Sequence, residues 1–227
     1  MGRKPWLSIL SLLILAAGLV VLLYPAAQNV LYDMETEKIK QEFLQNPGDN
    51  YDALYAFLKA ENERLFATGQ DDLKDAFSYE QPGVDLSAYG IKDNIIGFIS
   101  IPAIDIELPI ILGANKVNMM KGAVHLTETS YPIGGENTNC VIAAHRGQTV
   151  KQFRNIHKIE IGDEILITNF RETLTWRAAE IRIIWPWETD AVLIQPDREA
   201  LSLLSCHPYG DNTPRNQRYL VVCERVK

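Results

Sequence analysis

The second half of the chain is built from short apolar runs, and this pattern restricts the fold more than any other feature. From Ile95 onward the runs are rich in Ile, Val and aromatic residues, and Gly, Pro, Asn and Asp separate them. Many short strands divided by turn residues are typical of a mainly β domain, either a sandwich or a barrel. The predicted strands are 95–101, 104–112, 140–144, 164–169, 174–184, 191–194, 201–206 and 219–223, with a short crossover helix within 153–161.

The N-terminus carries a segment that is suited to crossing a membrane. Residues 5–25 are apolar or weakly polar, and no charged residue lies between Lys4 and Asp33. About 20 apolar residues suffice for a helix to cross the hydrocarbon core. Basic residues before the span and acidic residues after it predict that residues 1–4 stay in the cytoplasm and that the rest of the chain lies outside the cell membrane. A cleaved signal peptide is the alternative, but its apolar part is normally shorter, and residues 23–27 match a cleavage site poorly.

Between the predicted anchor and the β-domain, the chain divides into a helical part and a linker. Residues 26–69 show the apolar spacing of helices, interrupted by Pro and Gly within 46–50. Asn50 is a candidate N-cap for the second helix. Residues 70–93 are mixed in character and predict a linker or a surface loop, and residues 94–227 form the predicted β-domain.

Charge and cysteine usage argue against several classes of protein. A net charge of -7 is unlike a nucleic-acid-binding surface, which needs clustered Lys and Arg. The three cysteines include no Cys-x-x-Cys pair, and the histidines and cysteines follow no zinc-ligand spacing. We therefore expect no metal and no cofactor. An odd number of cysteines in an exported protein also leaves at least one thiol unpaired, unless two chains pair, and such a thiol is a candidate for chemistry.

Three reactive side chains lie at the ends of predicted strands. Cys206 ends one run, and the proline two residues later cannot donate to a sheet ladder. His145 directly follows another run, and Arg218 precedes the last one. A thiol, an imidazole and a guanidinium suffice for acyl transfer through a thioester, with the guanidinium stabilising an oxyanion. Taken singly, each has a plainer interpretation, as a buried cysteine, a turn histidine and a surface arginine. Arg215 and the histidines at 125, 157 and 207 compete for the same roles, and His125 is a candidate to line a groove.

Several ordered segments of the β-domain resemble the sortases, which are membrane-anchored cysteine transpeptidases of Gram-positive bacteria. Residues 202–206 (Ser-Leu-Leu-Ser-Cys) are similar to the family's Thr-Leu-x-Thr-Cys, with Ser in place of both Thr. Residues 145–147 (His-Arg-Gly) and the crossover after them resemble the family's histidine segment. The segments 101–110, 122–126 and 129–138 are most similar to the pilin-polymerising class C branch. The resemblance covers about residues 95–225.

This resemblance implies an eight-stranded β-barrel with short helices and a site for thiol chemistry. Carried over by position, Cys206 is the nucleophile, His145 the general acid and base, and Arg218 the residue that holds the oxyanion or the substrate. The candidate substrate-binding residues are His125, Ser205 and Arg215. The implied substrates are surface proteins or pilins with a Leu-Pro-x-Thr-Gly-like signal, and the implied acceptor is a pilin lysine or a peptidoglycan cross-bridge amine. Pilin polymerisation is the preferred role. The alternatives are anchoring to the cell wall, hydrolysis by a cysteine peptidase, or a surface domain that binds a partner without chemistry.

Three features depart from the class C pattern. Many class C members place the arginine about nine positions after the cysteine, which selects Arg215, although Arg218 directly precedes the closing apolar strand as the family arginine does. Class C enzymes usually carry an Asp-Pro-aromatic lid, whereas no Asp-Pro occurs here, so Phe77 or Tyr79 is the candidate to cover the groove. Many class C members also end in a second membrane span, and this sequence ends at Lys227, just after the last predicted strand.

Overall fold

The strands of the β-domain close into a barrel. The computed structural model describes residues 5–45, 50–80, 86–91, 93–147, 151–208 and 216–226. Within this part, the order of the hydrogen-bonded strands is β1-β2-β3-β4-β7-β8-β6-β5, and the last strand pairs with the first. The strands are β1 Ile95–Ile101, β2 Ile106–Leu112, β3 Ala123–His125, β4 Thr138–Ala143, β5 Glu164–Asn169, β6 Thr173–Ile184, β7 Glu199–His207 and β8 Gln217–Arg225. The eight-stranded barrel that the resemblance implied is therefore confirmed.

Two strand predictions differ from the structure, each for a local reason. The predicted run 191–194 is not a strand, because Thr189–Val192 forms a 3₁₀ helix and the Ile194 N–H donates to the side chain of Gln70 (2.7 Å) instead of to a neighbouring strand. β3 was missed because its three residues are too few to show alternation. It is held by parallel pairing to β2 and antiparallel pairing to β4.

The barrel interior is filled by the apolar faces of the strands. Successive side chains of a strand point to opposite faces, so every second residue enters the core. Trp176 on β6, Ile142 on β4 and Leu203 on β7 are almost fully buried there, and Cys223 on β8 lies with them. The core therefore accounts for most of the β-branched and aromatic residues that defined the predicted strands.

The helical part consists of two long helices. Helix α1, Pro5–Gln45, continues without interruption through Pro25, and its segment from Ile9 onward is long and apolar enough to cross a membrane, with no part of its apolar window buried. Its second half packs on the barrel, where the Phe43 ring meets the edge of Phe98 at 5.5 Å. Helix α2, Tyr51–Thr68, follows; Asn50 occupies its N-cap position but makes no side-chain cap bond.

The chain returns from α2 to the barrel through the predicted linker. Gln70 fixes the start of this linker, because its side chain donates to the Glu128 carbonyl (2.8 Å) and accepts from the Ile194 N–H. Two 3₁₀ turns follow, Ala76–Ser78 and Ser87–Tyr89. A third helix, α3 Lys116–Lys121, connects β2 to β3. The crossover helix expected within 153–161 is a 3₁₀ turn at Ile156–Lys158.

Candidate active site

Strand register brings two of the three predicted catalytic residues directly opposite each other. Cys206 near the end of β7 pairs with Arg218 near the start of β8 in the antiparallel ladder, and side chains of opposed residues project from the same face. Strand β4 runs parallel to β7, with Ala143 beside Leu204, so His145 leaves β4 at the same end of the barrel. The thiol, the imidazole and the guanidinium therefore all belong to one end of the barrel.

A short segment of the linker covers this end. We call residues Asp75 to Tyr79 the 75–79 segment. The Phe77 ring lies 6.1 Å from the imidazole ring of His145, and the Arg218 guanidinium carbon lies 4.7 Å from the centroid of the same Phe77 ring. Phe77 thus occupies the space between two of the predicted catalytic side chains. Of the two aromatic residues that the sequence offered to cover the groove, Tyr79 also contacts His145, at 6.4 Å between ring centroids.

Arg218 is held in place by a carboxylate from the 75–79 segment. Its Nε and Nη2 atoms each donate to one oxygen of Asp75, at 2.7 Å in both cases, and its Nη1 donates to the Gln217 carbonyl at 2.9 Å. Such paired bonds match the planar fork of a guanidinium to a carboxylate. Burial opposes the charge on Arg218, but the hydrogen bonds and charge of Asp75, with smaller contributions from Cys206 and Tyr79, leave its pKa raised. The guanidinium therefore stays cationic beside the thiol.

The environment of Tyr79 also links the 75–79 segment to the thiol. Burial raises the pKa of the Tyr79 phenol, and a negative charge on Cys206 acts in the same direction. The ammonium of Lys116 on α3 lies over the Tyr79 ring, 5.7 Å from its centroid. The 75–79 segment thus contacts His145 just after β4, Arg218 on β8 and Lys116 on α3.

A second buried arginine binds the backbone of Cys206. Arg146 is only 4% exposed, and its Nη1 atom donates to the Cys206 carbonyl at 3.2 Å. The same atom lies 3.4 Å from His207 Nδ1, and the guanidinium lies 5.5 Å from the centroid of the Tyr219 ring. Burial, followed by the charge of Arg146, lowers the pKa of His207. Sequence reasoning gave Arg146 no role, although its place directly after His145 was the available signal.

The candidate substrate-binding residues take three different positions. Ser205 is fully buried, and its hydroxyl donates to the Ala144 carbonyl at 2.8 Å, so it ties β7 to the segment that carries His145. His125 also lies in the interior, which corrects the expectation that it lines the groove, because β3 turns its ring inward to stack on Tyr131 at 4.9 Å. Arg215 lies outside the described residues.

The interior position of His125 fixes its protonation state. Its Nε2 atom lies 2.9 Å from the Ser130 carbonyl, and a carbonyl only accepts, so Nε2 carries the proton. Its Nδ1 atom is buried and has no partner within the described part of the chain. Burial therefore lowers the pKa of His125 to about 4. His125 is a neutral histidine of the core.

The other two cysteines are surrounded by the core. Cys140 on β4 and Cys223 on β8 are almost entirely buried, and this burial raises the pKa of each thiol. No disulfide joins the cysteines, all three of which lie in described strands. Among the described residues, no group of His, Cys, Asp and Glu has the arrangement of a metal site. Cys206 is the cysteine that lies at the barrel end with polar and charged neighbours.

Comparison with known proteins identifies the architecture. The sortase domain, as its protein family defines it, matches residues 99–226. This chain belongs to the sortase family. The match begins within β1 and ends one residue after the last strand, so it covers all of the barrel of this sortase except the first part of β1, and it includes all three predicted catalytic residues.

Relatives extend the similarity beyond the barrel. Sortase D of Bacillus subtilis is 27% identical over 220 residues, which is 96% of this chain and 98% of the relative. Sortase C1 of Streptococcus agalactiae, solved in complex with MTSET, has a TM-score of 0.73 and 27% identity, over 82% of this chain and 96% of that chain. Sortase C of Streptococcus pneumoniae has a TM-score of 0.71 and 30% identity, over 84% and 97%. These sortase C structures agree with the resemblance to the class C branch.

Proposed function

We propose that this sortase is a membrane-anchored cysteine transpeptidase that cleaves a Leu-Pro-x-Thr-Gly-like signal and transfers the new carboxyl end to an amine. The observation that carries the proposal is the pairing of Cys206 with Arg218 at the barrel end where His145 leaves β4. A nucleophile, a proton carrier and a cation then flank one reacting carbonyl, as acyl transfer requires. Membership of the sortase family supports the same chemistry.

The proposed reaction has two balanced halves. The Cys206 thiolate attacks the carbonyl carbon of the signal threonine, and Arg218 with a backbone N–H holds the oxyanion. The C–N bond breaks, His145 gives its proton to the leaving glycine amine, and a thioester remains on Cys206. An acceptor amine then attacks the thioester, His145 takes the proton from that amine, and the C–S bond breaks to restore the thiolate. The product is a new amide bond.

In this proposal the 75–79 segment is a lid that the substrate displaces. Phe77 occupies the space beside His145, and Asp75 engages two nitrogens of Arg218, so neither residue can serve a substrate until the segment moves. Ala76 stands where class C lids usually carry proline, and Asp75 and Phe77 flank it as the acidic and aromatic members of that pattern. Asp75 also accepts from the Phe77 N–H at 3.2 Å, which fixes the turn without a proline ring.

Apolar surface for the signal lies next to Arg218. Ile184 at the end of β6 pairs with Arg218, and the chain continues into Trp185 and Trp187, whose rings stack at 5.0 Å. Trp187 is 72% exposed. An exposed aromatic face at the rim of the groove suits the leucine and proline of a sorting signal.

The anchor and the acceptor complete the proposal. Helix α1 crosses the membrane with residues 1–4 in the cytoplasm, so enzyme and exported substrate meet at one surface at high effective concentration. A pilin lysine is the preferred acceptor, with a cell-wall cross-bridge amine as the alternative. Two observations support this preference: the lid-like 75–79 segment and the similarity to a pilus-related sortase C of Group B Streptococcus, at 28% identity and a TM-score of 0.72.

The decisive experiment incubates the detergent-solubilised protein with signal peptides and amines and follows the products by mass spectrometry. We expect an acyl adduct on Cys206 and a ligated product that forms faster with a pilin-lysine peptide than with glycine peptides. Faster ligation to glycine peptides would favour wall anchoring. If the free acid is released at a rate that added amine does not change, the protein is a hydrolytic peptidase. If no Cys206 adduct forms at all, the interpretation as a surface domain that binds a partner without chemistry replaces the proposal.

Substitution of Arg218 tests its place in this chemistry. We expect Arg218→Gln to lower kcat/KM by about 10²–10³-fold, because an oxyanion-stabilising group typically contributes about 3 kcal/mol. Arg182 on β6 provides the matched control, since it is exposed and pairs with Glu180 on the outside of the barrel. An equal loss in Arg182→Gln, or no loss in Arg218→Gln, would contradict the assignment.

A further inference from the structure

The contacts of α1 define which end of the barrel faces the membrane. Where α1 first meets the β-domain, the Tyr32 hydroxyl donates to the Lys121 carbonyl at 2.8 Å. Lys151 bridges the same region, 3.6 Å from a carboxylate oxygen of Asp33 and 2.8 Å from one of Asp105. Residues farther along α1, such as Phe43, pack on the barrel at positions farther from the predicted span. The end of the barrel beside Lys121 and Lys151 is therefore the end nearest to the predicted span.

This end of the barrel is also the end that carries the candidate active site. Strand β3 begins two residues after Lys121, and its Val124 pairs with Ala143, just before His145. Lys151 lies in the loop that follows His145, and the Phe153 N–H of that loop donates to the His145 carbonyl at 3.0 Å. The candidate active site and the first contacts of α1 with the β-domain consequently share one end of the barrel.

The length of α1 places this end at the height of the lipid headgroups. If the hydrocarbon core ends near residue 25, Tyr32 stands about 10 Å farther along the helix at about 1.5 Å per residue. The headgroup layer extends about 5–7 Å beyond the hydrocarbon core on each side. The remaining gap is within the reach of a flexible lysine side chain. No charged residue lies between Lys4 and Asp33, so the helix carries no charge in this stretch that would keep it from sinking deeper.

Helix α3, which Tyr32 contacts, presents both apolar and basic side chains to the outside. Its inner face is fixed, since Met119 is fully buried and the Asn118 side chain donates to the Leu112 carbonyl at 2.8 Å. On its outer face, Val117 is 65% and Met120 71% exposed. Exposed apolar residues at this density on so short a helix are better suited to an interface than to water.

The basic residues of α3 flank this apolar pair. Lys116 and Lys121 stand at the two ends of the helix, and both are exposed. Two carboxylates of α1 and the β1–β2 turn, Asp33 and Asp105, are both paired with Lys151, whereas Glu35 and Asp93 line a cavity together with Met120 and Lys121. Among the described residues neither lysine of α3 forms a salt bridge, so both ammonium groups can pair with an external anion. Apolar residues between lysines are the composition of segments that lie in the interface of an anionic membrane.

We propose that α3 is a membrane-contact element, which rests on the proposed membrane anchor. Val117 and Met120 enter the headgroup layer of the outer leaflet, and Lys116 and Lys121 pair with the phosphates of anionic lipids. This second contact, beside α1, fixes the rotation of the barrel about the anchor. It holds the groove at the height at which a membrane-tethered signal arrives, and Lys116 links the contact to Tyr79 of the 75–79 segment.

The test measures the depth of α3 in the full-length protein reconstituted in vesicles. A nitroxide at Met120→Cys, in a Cys206→Ala background, is compared with one at Glu136→Cys, an exposed position in the loop before β4 at the opposite end of the barrel. Cys140 and Cys223 are buried and do not take the label. In vesicles that contain phosphatidylglycerol, we expect the ratio of relaxation by lipid-dissolved oxygen to relaxation by a water-soluble nickel complex to be at least several-fold higher at 120 than at 136.

Charge reversal and lipid composition complete the test. Lys116→Glu with Lys121→Glu should remove most of the difference between the two positions, as should vesicles of phosphatidylcholine alone. Equal ratios at 120 and 136, or a difference that charge reversal leaves intact, would overturn the proposal. Flotation with the vesicles reports the anchor separately, and a protein that does not float disproves both the anchor and the α3 contact. Transpeptidation is assayed in detergent, so failure of the proposed chemistry leaves the depth measurement interpretable.

Discussion

Strands β7 and β8 hold two cysteines in opposite environments, and the contrast supports the proposed role of Cys206. In the middle of the pair, Cys223 lies opposite Leu201 in the apolar core, and burial raises its pKa. At the end of the pair, Cys206 lies opposite Arg218, which remains cationic. The surroundings of a cysteine on these two strands therefore depend on its distance from the barrel end, and a thiol beside a cation is the one better suited to act as a nucleophile.

The histidines of the neighbouring strands repeat the contrast. His125 on β3 is buried and stacked on Tyr131, and its pKa falls to about 4, so it stays neutral at physiological pH. His145 lies just beyond the end of β4, where Phe77 and Tyr79 of the 75–79 segment cover it. The ring in the core is locked by packing, whereas the ring at the barrel end is covered by the 75–79 segment, which the proposed function makes a lid.

The largest expected effect separates the two cysteines directly. Cys206→Ala should remove the acyl adduct and lower transpeptidation by about 10³-fold or more, because loss of a nucleophile abolishes the covalent route. Cys223→Ala should retain activity and lose only stability, about 1 kcal/mol for a small cavity. Mass spectrometry of the adduct and urea denaturation in detergent micelles measure the two effects. A Cys206→Ala protein that still forms an adduct would refute the contrast.

The cover over the barrel end gives the next largest effect. Asp75→Asn should raise the rate of Cys206 alkylation by a small reagent about tenfold, because loss of a partly buried ion pair costs the closed state about 1.4 kcal/mol or more. Glu80→Gln is the matched control, since Glu80 pairs with Lys74 at the surface, at 2.9 Å. Alkylation that is equally fast in the wild type and in Asp75→Asn would show that the 75–79 segment does not limit access to the thiol.

Substitution of Arg146 is expected to have a smaller effect on activity, together with a change in the pKa of His207. Arg146→Met should lower kcat/KM a few-fold. The substitution removes the hydrogen bond from the guanidinium to the Cys206 carbonyl, and a hydrogen bond to a charged group contributes about 1.5–3 kcal/mol to stability. Only part of this loss should change the position of the thiol. Burial and, after it, the charge of Arg146 lower the pKa of His207, so the same substitution should raise that pKa part of the way toward its ordinary value. Titration of the His207 ring by NMR measures the change. Arg146→Lys, which retains a cation, should leave the pKa of His207 near that of the wild type.

The smallest effect concerns stability and not activity. The folded-state pKa of His125 is about 4 and its unfolded value is 6.5, so the unfolded chain binds the proton more readily between these pH values. The stability contributed by neutral His125 is therefore full above pH 6.5 and is lost as the pH falls to about 4, a change on the order of 3 kcal/mol. In His125→Phe this part of the acid loss should disappear. His157→Gln, at an exposed position, should keep it.

Much of the fold and part of the site follow from local sequence. Most of the predicted strands were correct within a few residues because an apolar run between turn residues forms a strand whatever its partner. The motif resemblance also indicated which cysteine and which histidine belong together. The prediction failed for 191–194, because the Ile194 N–H donates to the side chain of Gln70, which is 124 residues away in the sequence, and not to a neighbouring strand.

The sequence alone determined that this protein has an apolar segment able to span a membrane, a mainly β domain and a cysteine at the end of a strand. Only the tertiary structure decided that Asp75, 143 residues from Arg218, is the carboxylate that binds it, and that Arg146 supports Cys206. Hydrophobic periodicity is a property of neighbouring residues and can be recognised in any segment. Contacts between distant polar side chains depend on how the barrel closes, which requires the register of all its strands together.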